Sequence, residues 1–239
     1  MLAHESRATA SVSSRPKEHV ATGPDLVWSW DISYMRLAVR GMFFLLYMIV
    51  DVWSRIIIAA TVFEEESMDH GARLFIAACA SHHVDPEGPM LHSHNGGPMK
   101  GSSILATLQK PGVVPSFSRP NVRDDNPYSK ALFGTMKYRP EYPSRPFAKI
   151  QEVQTWVDAF VTWHNSEQLH RSIKFVTPDD SHYDREPQIL AKRHALYQAA
   201  LQRCPNRWSV PTRDWQPFQV VRLNPRKNTE GQHELLAAA

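Results

Sequence analysis

MFFLLYMIVDV, residues 42–52, constrains this chain more than any other stretch. Its apolar run is shorter than the roughly 20 residues that span a bilayer. It is also unbroken, whereas a strand with one wet face alternates apolar and polar residues. Such a run predicts a strand buried on both faces, with a layer of structure above it and another below. VWSWDISYM (27–35) precedes it and the β-branched RIIIAATVF (55–63) follows. The separators RLAVRG and WS are short, so the three segments predict an antiparallel meander.

Helix and strand signals then alternate. SMDHGARLFIAACASHH (67–83) has Ala72, Phe75, Ile76 and Cys79 on one helical face and Ser67 as N-cap. GPMLHS (88–93) reads as a short strand, 98–112 as a helix broken by Pro111-Gly112, and VVPSFS (113–118) as another strand. A helix is predicted over 127–142, with Pro127 in its first turn. The best amphipathic helix is 148–166, with Ile150, Val153, Trp156, Val157, Phe160, Val161 and His164 at i, i+3, i+4 spacing. A last helix is expected around 186–203, before a tail rich in Arg and Trp. Three strands followed by alternating helix and strand predict an α/β fold with a mixed sheet.

Composition sets the outer bounds. The chain has 239 residues, 42% of them hydrophobic, enough for one sizeable domain with tails. Its net charge of +3 permits nucleic-acid binding without demanding it. The two cysteines, Cys79 and Cys204, form no metal-type pair and no disulfide framework. With neither a signal-peptide core nor a spanning segment, the expectation is a soluble, cytoplasmic, nucleoid-associated protein with no membrane partner. The expected organisation is a flexible leader at 1–24, a core at 25–183, and a C-terminal helix with basic tail at 184–239.

Five segments in order carry a resemblance: VWSWDISY (27–34), YMIVDVWSR (47–55), LHSHNGGPMKG (91–101), PSFSRPNVRDDNPYSKALFGTMKYRP (115–140) and WHNSEQLHRSIKFVTPDD (163–180). Together, over residues 16–183, they resemble the catalytic core of DDE-type insertion-sequence transposases, relatives of retroviral integrases. The resemblance implies a ribonuclease-H-like fold: a mixed five-stranded sheet, three antiparallel strands and then two parallel ones, flanked by helices. It also implies phosphodiester cleavage and strand transfer with Mg²⁺ or Mn²⁺ held by two aspartates and a glutamate.

Asp31 matches the first aspartate. His94 stands at the second and Lys130 at the glutamate, with the family's usual 35 residues between them. Two of three carboxylates are therefore replaced while the frame is kept, which predicts impaired catalysis and weak or lost metal binding. Imidazole suits zinc, copper or nickel better than Mg²⁺, and His92 lies close enough in sequence to partner His94; a solvated turn histidine is the blander reading. Lys130 could instead meet phosphate.

Arg119, Arg123, Lys130, Lys137, Arg139 and Arg145 outnumber the acids within 119–145 and make a candidate DNA-facing stripe, with a merely solvated face as the alternative. The resemblance adds Asn165, His170 and Arg171 as candidates for lining a DNA channel. Asp51 is expected to be structural, bonding near Ser54 and Arg55; Asn95 and Gly96 to shape a turn; Asn126 to cap the following helix; and Trp156, Phe160 and Trp163 to be core. The family adds an N-terminal helix-turn-helix region. Because this chain begins just before the core, weak sequence recognition, or recognition supplied in trans, is expected. The expected partners are DNA and further copies of this chain or intact transposase subunits. The alternative function is a non-catalytic DNA-binding or oligomerising remnant that interferes with an intact transposase.

Overall fold

A computed structural model describes residues 16–93, 115–119 and 125–225. Strands β1 (His19–Ala21), β2 (Val27–Arg36), β3 (Phe43–Asp51) and β4 (Ile57–Phe63) are followed by helix α1 (Met68–His82), then β5 (Met90–Ser93) and β6 (Pro115–Phe117). Helices α2 (Pro127–Tyr138), α3 (Ile150–Ser166), α4 (Pro178–His182) and α5 (Glu186–Arg203) come next, and β7 (Val221–Leu223) closes the described chain. The main sheet has the order β4-β3-β2-β5-β6. β2, β3 and β4 are antiparallel neighbours, while β5 runs parallel to β2 and β6 parallel to β5.

The apolar run in β3 is explained by what covers it. Leu45, Tyr47 and Ile49 join Phe75, Ala78 and Cys79 of α1 in one cluster. Phe44, Leu46, Met48 and Val50 join Leu132, Phe133 and Met136 of α2 and Val153, Val157 and Phe160 of α3 in another. Alternate residues of one strand thus feed two cores, and each large buried side chain contributes about 1.5–3 kcal/mol. The expected α1 face is slightly rotated: Leu74 and Ala78 are buried, while Ile76 is exposed.

Local chemistry sets the boundaries. Ser67 caps α1 by accepting from the Asp69 amide, and Tyr47 Oη holds the Ser67 backbone through both its amide and its carbonyl. α2 stops at Tyr138 rather than 142, because Arg139 precedes a proline and is extended. Asp51 is structural: its buried carboxylate accepts from the amide and hydroxyl of Ser54, each at 2.7 Å. The free edge of β4 is occupied by two side-chain amides from α3. Gln154 bonds Val62 N and Ala60 O, and Asn165 bonds Ile57 N and O. Capping an edge in this way prevents pairing with another chain.

Two short strands were not legible. β1 pairs antiparallel with β7, and Ala21 and Leu223 pack with Val27 and Val52. Part of the expected 1–24 leader is therefore tied to the C-terminal segment. The expected helix at 98–112 and the turn at Asn95-Gly96 lie outside the described residues.

Candidate active site

The two faces of β2 differ. Trp28 and Trp30 enter the α1 core, whereas Ser29, Asp31 and Ser33 alternate onto the other face, toward α2. Facing β3 positions on that side are apolar, so β2 carries a polar seam beside a greasy neighbour. Asn126 and Ser129 of the α2 N-terminus answer it. Ser29 Oγ contacts Asn126 Oδ1 at 2.5 Å and Ser129 Oγ at 2.8 Å, and Asn126 Nδ2 donates to the Trp30 carbonyl. Asn126 occupies the N-cap position, but its side chain makes no cap bond; the expectation of a side-chain cap is corrected, because β2 takes both ends of that amide.

At the other end of α2, Lys137 Nζ donates to the Tyr34 carbonyl at 3.1 Å. α2 therefore runs beside β2, from the level of Ser29 to that of Tyr34. Asp31 lies within that stretch, only 7% exposed, and one of its oxygens accepts from the Ile32 amide. Lys130 follows Ser129 and shares a helical stripe with Gly134 and Lys137. That stripe holds two ammonium groups and no carboxylate. Burial, with the Arg36 guanidinium nearby, holds the Lys137 amine below the usual lysine range.

β5 approaches from the other side of β2. Ser93 is the register partner of Trp30, so β5 ends one residue short of Asp31. His94, next in the chain, lies outside the described residues, as does Arg123. His92 is fully buried and both its ring nitrogens are engaged: Nε2 lies 2.7 Å from the Asp125 carbonyl and Nδ1 3.1 Å from Ser116 Oγ. A carbonyl only accepts, so Nε2 carries the proton, and His92 acts as a tie between β5, β6 and α2 rather than as a metal partner for residue 94.

The candidate DNA contacts divide sharply. Arg119 forms a bidentate pair with buried Asp125, 3.0 Å at each arm. Arg139 lies 3.6 Å over the Trp163 ring and pairs with Glu141. Asn165 uses its whole amide on β4. His170 bonds Ser172, and burial, with His164 and Arg55 adding, pushes its imidazole down to about 4. Arg171 is exposed. Trp156, Phe160 and Trp163 pack into the α3 core as expected, with Phe160 fully buried. The seam of Ser29, Asn126 and Ser129 escaped sequence reasoning; the one signal was a serine interrupting apolar residues in VWSW.

A mixed sheet of this order, with an aspartate on its central strand beneath a flanking helix, is the architecture of integrase-like catalytic cores. The chain belongs to the integrase core domain family, whose sequence profiles match residues 21–122 and 111–178. InsK, named as a transposase for insertion sequence element IS150 of Escherichia coli K12, is 26% identical over 163 residues, covering 68% of this chain and 56% of InsK. The chain thus spans little more than half of that relative's length. Among solved structures, the simian T-cell lymphotropic virus intasome superposes with TM-score 0.56 at 15% identity, over 72% of this chain and 60% of that one. The HTLV-2 integrase catalytic core domain, in complex with magnesium in its trimeric form, gives 0.50 at 12%, over 67% and 97%. These likenesses are likenesses of fold. Among the described residues, no helix is long and apolar enough to cross a membrane.

Proposed function

We propose that this chain is a DNA transposition core that retains the scaffold for binding DNA and has lost most of its capacity for phosphodiester cleavage and strand transfer. The observation that carries the reading is Lys130, set on α2 beside the strand of Asp31 where the resemblance calls for a glutamate. Magnesium takes hard oxygen ligands, and a two-ion centre needs several carboxylates to hold the ions roughly 3.5–4 Å apart. The donor set here is one carboxylate, an ammonium and, by sequence, an imidazole; it does not fit such a centre. At 4 Å and an effective dielectric of 20, an ammonium opposes a unit positive charge by about 4 kcal/mol, and a divalent ion roughly doubles that.

The same observation favours a second reading, a non-catalytic module that binds DNA or joins intact transposase subunits and so interferes with them. In both readings 25–183 is the core, DNA is the partner, and the place of action is the bacterial nucleoid. One comparison tests the loss of chemistry on which both rest: nicking of a supercoiled plasmid with Mg²⁺ or Mn²⁺ by the unaltered chain and by Asp31→Ala. No nicking by either is expected. Robust nicking that disappears in Asp31→Ala would show a working centre and overturn the loss of chemistry. Calorimetry on a His94→Asp, Lys130→Glu double variant is expected to show Mg²⁺ affinity that the unaltered chain lacks, with either single change gaining less.

A further inference from the structure

At the start of β2, remote from Asp31, three segments far apart in sequence converge. Asp25 precedes β2, His82 ends α1, and His182 ends α4. One ligand atom from each lies within 4.8 Å of the other two. Asp31 is the fifth residue of β2, about 13 Å along the strand from Val27, and Asp25 lies before the strand begins, so this cluster is distinct from the site of Asp31.

Proton accounting shows what faces inward. Ser54 Oγ is 2.7 Å from Asp51 Oδ2, and a carboxylate only accepts, so the serine proton goes to Asp51. Ser54 Oγ is then the acceptor for His182 Nδ1 at 3.1 Å, and that nitrogen carries the imidazole proton. In the neutral ring His182 Nε2 is then left with a lone pair, 3.4 Å from Asp25 Oδ2. Asp25 Oδ1 is already held by the Trp28 indole at 3.0 Å. The Ile58 backbone lies beside the His82 ring, and one of that ring's nitrogens is within 4.8 Å of the other two ligand atoms. Three potential ligand atoms thus meet, and two of their side chains, His182 and Asp25, are fixed from behind by Ser54 and Trp28. Second partners of this kind orient metal ligands and set their tautomers. Lone pairs this close repel unless a proton or a cation lies between them.

We propose that Asp25, His82 and His182 form a transition-metal site, for zinc or a cation of similar chemistry, that staples α4 and the end of α1 to the start of β2. The ligand chemistry favours zinc over magnesium, because two imidazoles and one carboxylate suit a borderline-soft ion. The spacing agrees. Tetrahedral zinc with bonds of about 2.0–2.1 Å sets neighbouring ligand atoms about 3.3 Å apart, and Nε2 to Oδ2 is 3.4 Å. Three protein ligands leave the fourth position to water. An ion has a route in, since Asp25 and His82 are only half-buried.

The test is titration of the full chain with Co²⁺ as a visible probe and Zn²⁺ as competitor, in parallel with melting curves with and without Zn²⁺. A Cys204→Ser background removes the exposed thiol. One equivalent of Co²⁺ with tetrahedral absorption and no thiolate band is expected, displaced by Zn²⁺ and not by Mg²⁺. Zn²⁺ should raise the melting temperature. His82→Ala and Asp25→Asn should each weaken binding by at least about tenfold. Asparagine keeps an acceptor for Trp28 and tolerates the left-handed backbone of Asp25 (φ 59°), so it isolates the lost charge from folding. Folded chain that binds neither ion, or binding that survives both substitutions, would overturn the site. In the first case the lone pairs share a proton instead.

Discussion

One aspartate lies just before β2 and another in the middle of the strand, and their surroundings are opposite. Asp31 sits where a family pattern calls for three carboxylates, yet the helix beside it brings lysines. Asp25 matches no position of that pattern, yet the fold brings it two imidazoles. The first site is readable from the chain and poor in metal ligands. The second is unreadable from the chain and well provided with them. Packing of β3 between two cores makes no demand on residue 130, so the frame of strands and helices does not depend on what stands there. A ligand set drawn from residues 25, 82 and 182 leaves no spacing to detect.

Substitutions behind the two aspartates should separate the two ends. Asp51→Ala removes the acceptor of three buried or part-buried donors, the amide and hydroxyl of Ser54 and the Asp25 amide. A loss of about 3 kcal/mol in urea unfolding is expected, since each orphaned donor costs roughly 1–3 kcal/mol. Cobalt affinity at the Asp25 end should fall with it, because Ser54 no longer orients His182. Asn126→Ala removes one of the two partners of Ser29 Oγ and the side-chain donor to the Trp30 carbonyl at the other end; about 2 kcal/mol is expected, with cobalt affinity unchanged. Equal effects of both variants on cobalt would mean that the two ends are not independent.

The fold was legible where periodicity is long. The β3 run, the α1 cap at Ser67 and the α3 stripe all gave their elements, and the five ordered segments gave the sheet order. What was hidden depends on contacts distant in sequence. The β1–β7 pair joins residue 19 to residue 223 through three-residue strands, too short for a period. The internal partners of three candidate DNA contacts were hidden for the same reason. Arg119, Arg139 and Asn165 look like solvent-facing polar residues in sequence, and only the structure supplies Asp125, Trp163 and the β4 edge as their partners.

His170 tests the region that joins α3 to α4, beside Arg55 and His164. Its imidazole titrates at about 4, against an ordinary value of 6.5, because burial disfavours the charged ring. The unfolded chain takes up the proton first, so stability is untouched above pH 6.5 and falls as pH drops from 6.5 toward 4. At pH 5 the loss from this ring should be about 1 kcal/mol, after allowance for solvent screening of a partly exposed group. His170→Asn should reduce the difference in unfolding free energy between pH 7 and pH 5 by that amount. A pH response identical in the variant would show that the ring is not held neutral.

The smallest effect concerns which cations reach DNA, and it sharpens the contrast at the Asp31 end. Arg139 lies over Trp163 and is paired with Glu141, whereas Arg171 is exposed on the turn after α3. A cation that neutralises a phosphate releases a counterion, so log affinity falls with log salt by about 0.9 per contact on duplex DNA. Arg171→Ala should lower the salt slope of binding to a random duplex by about that much, with unchanged stability. Arg139→Ala should leave the slope as it is and cost about 1 kcal/mol of stability through the lost ring contact. The reverse assignment would mean that Arg139 leaves Trp163 when DNA arrives. The internal partners of the 119–145 cations would then be resting positions, and the stripe beside Asp31 a DNA-facing surface after all.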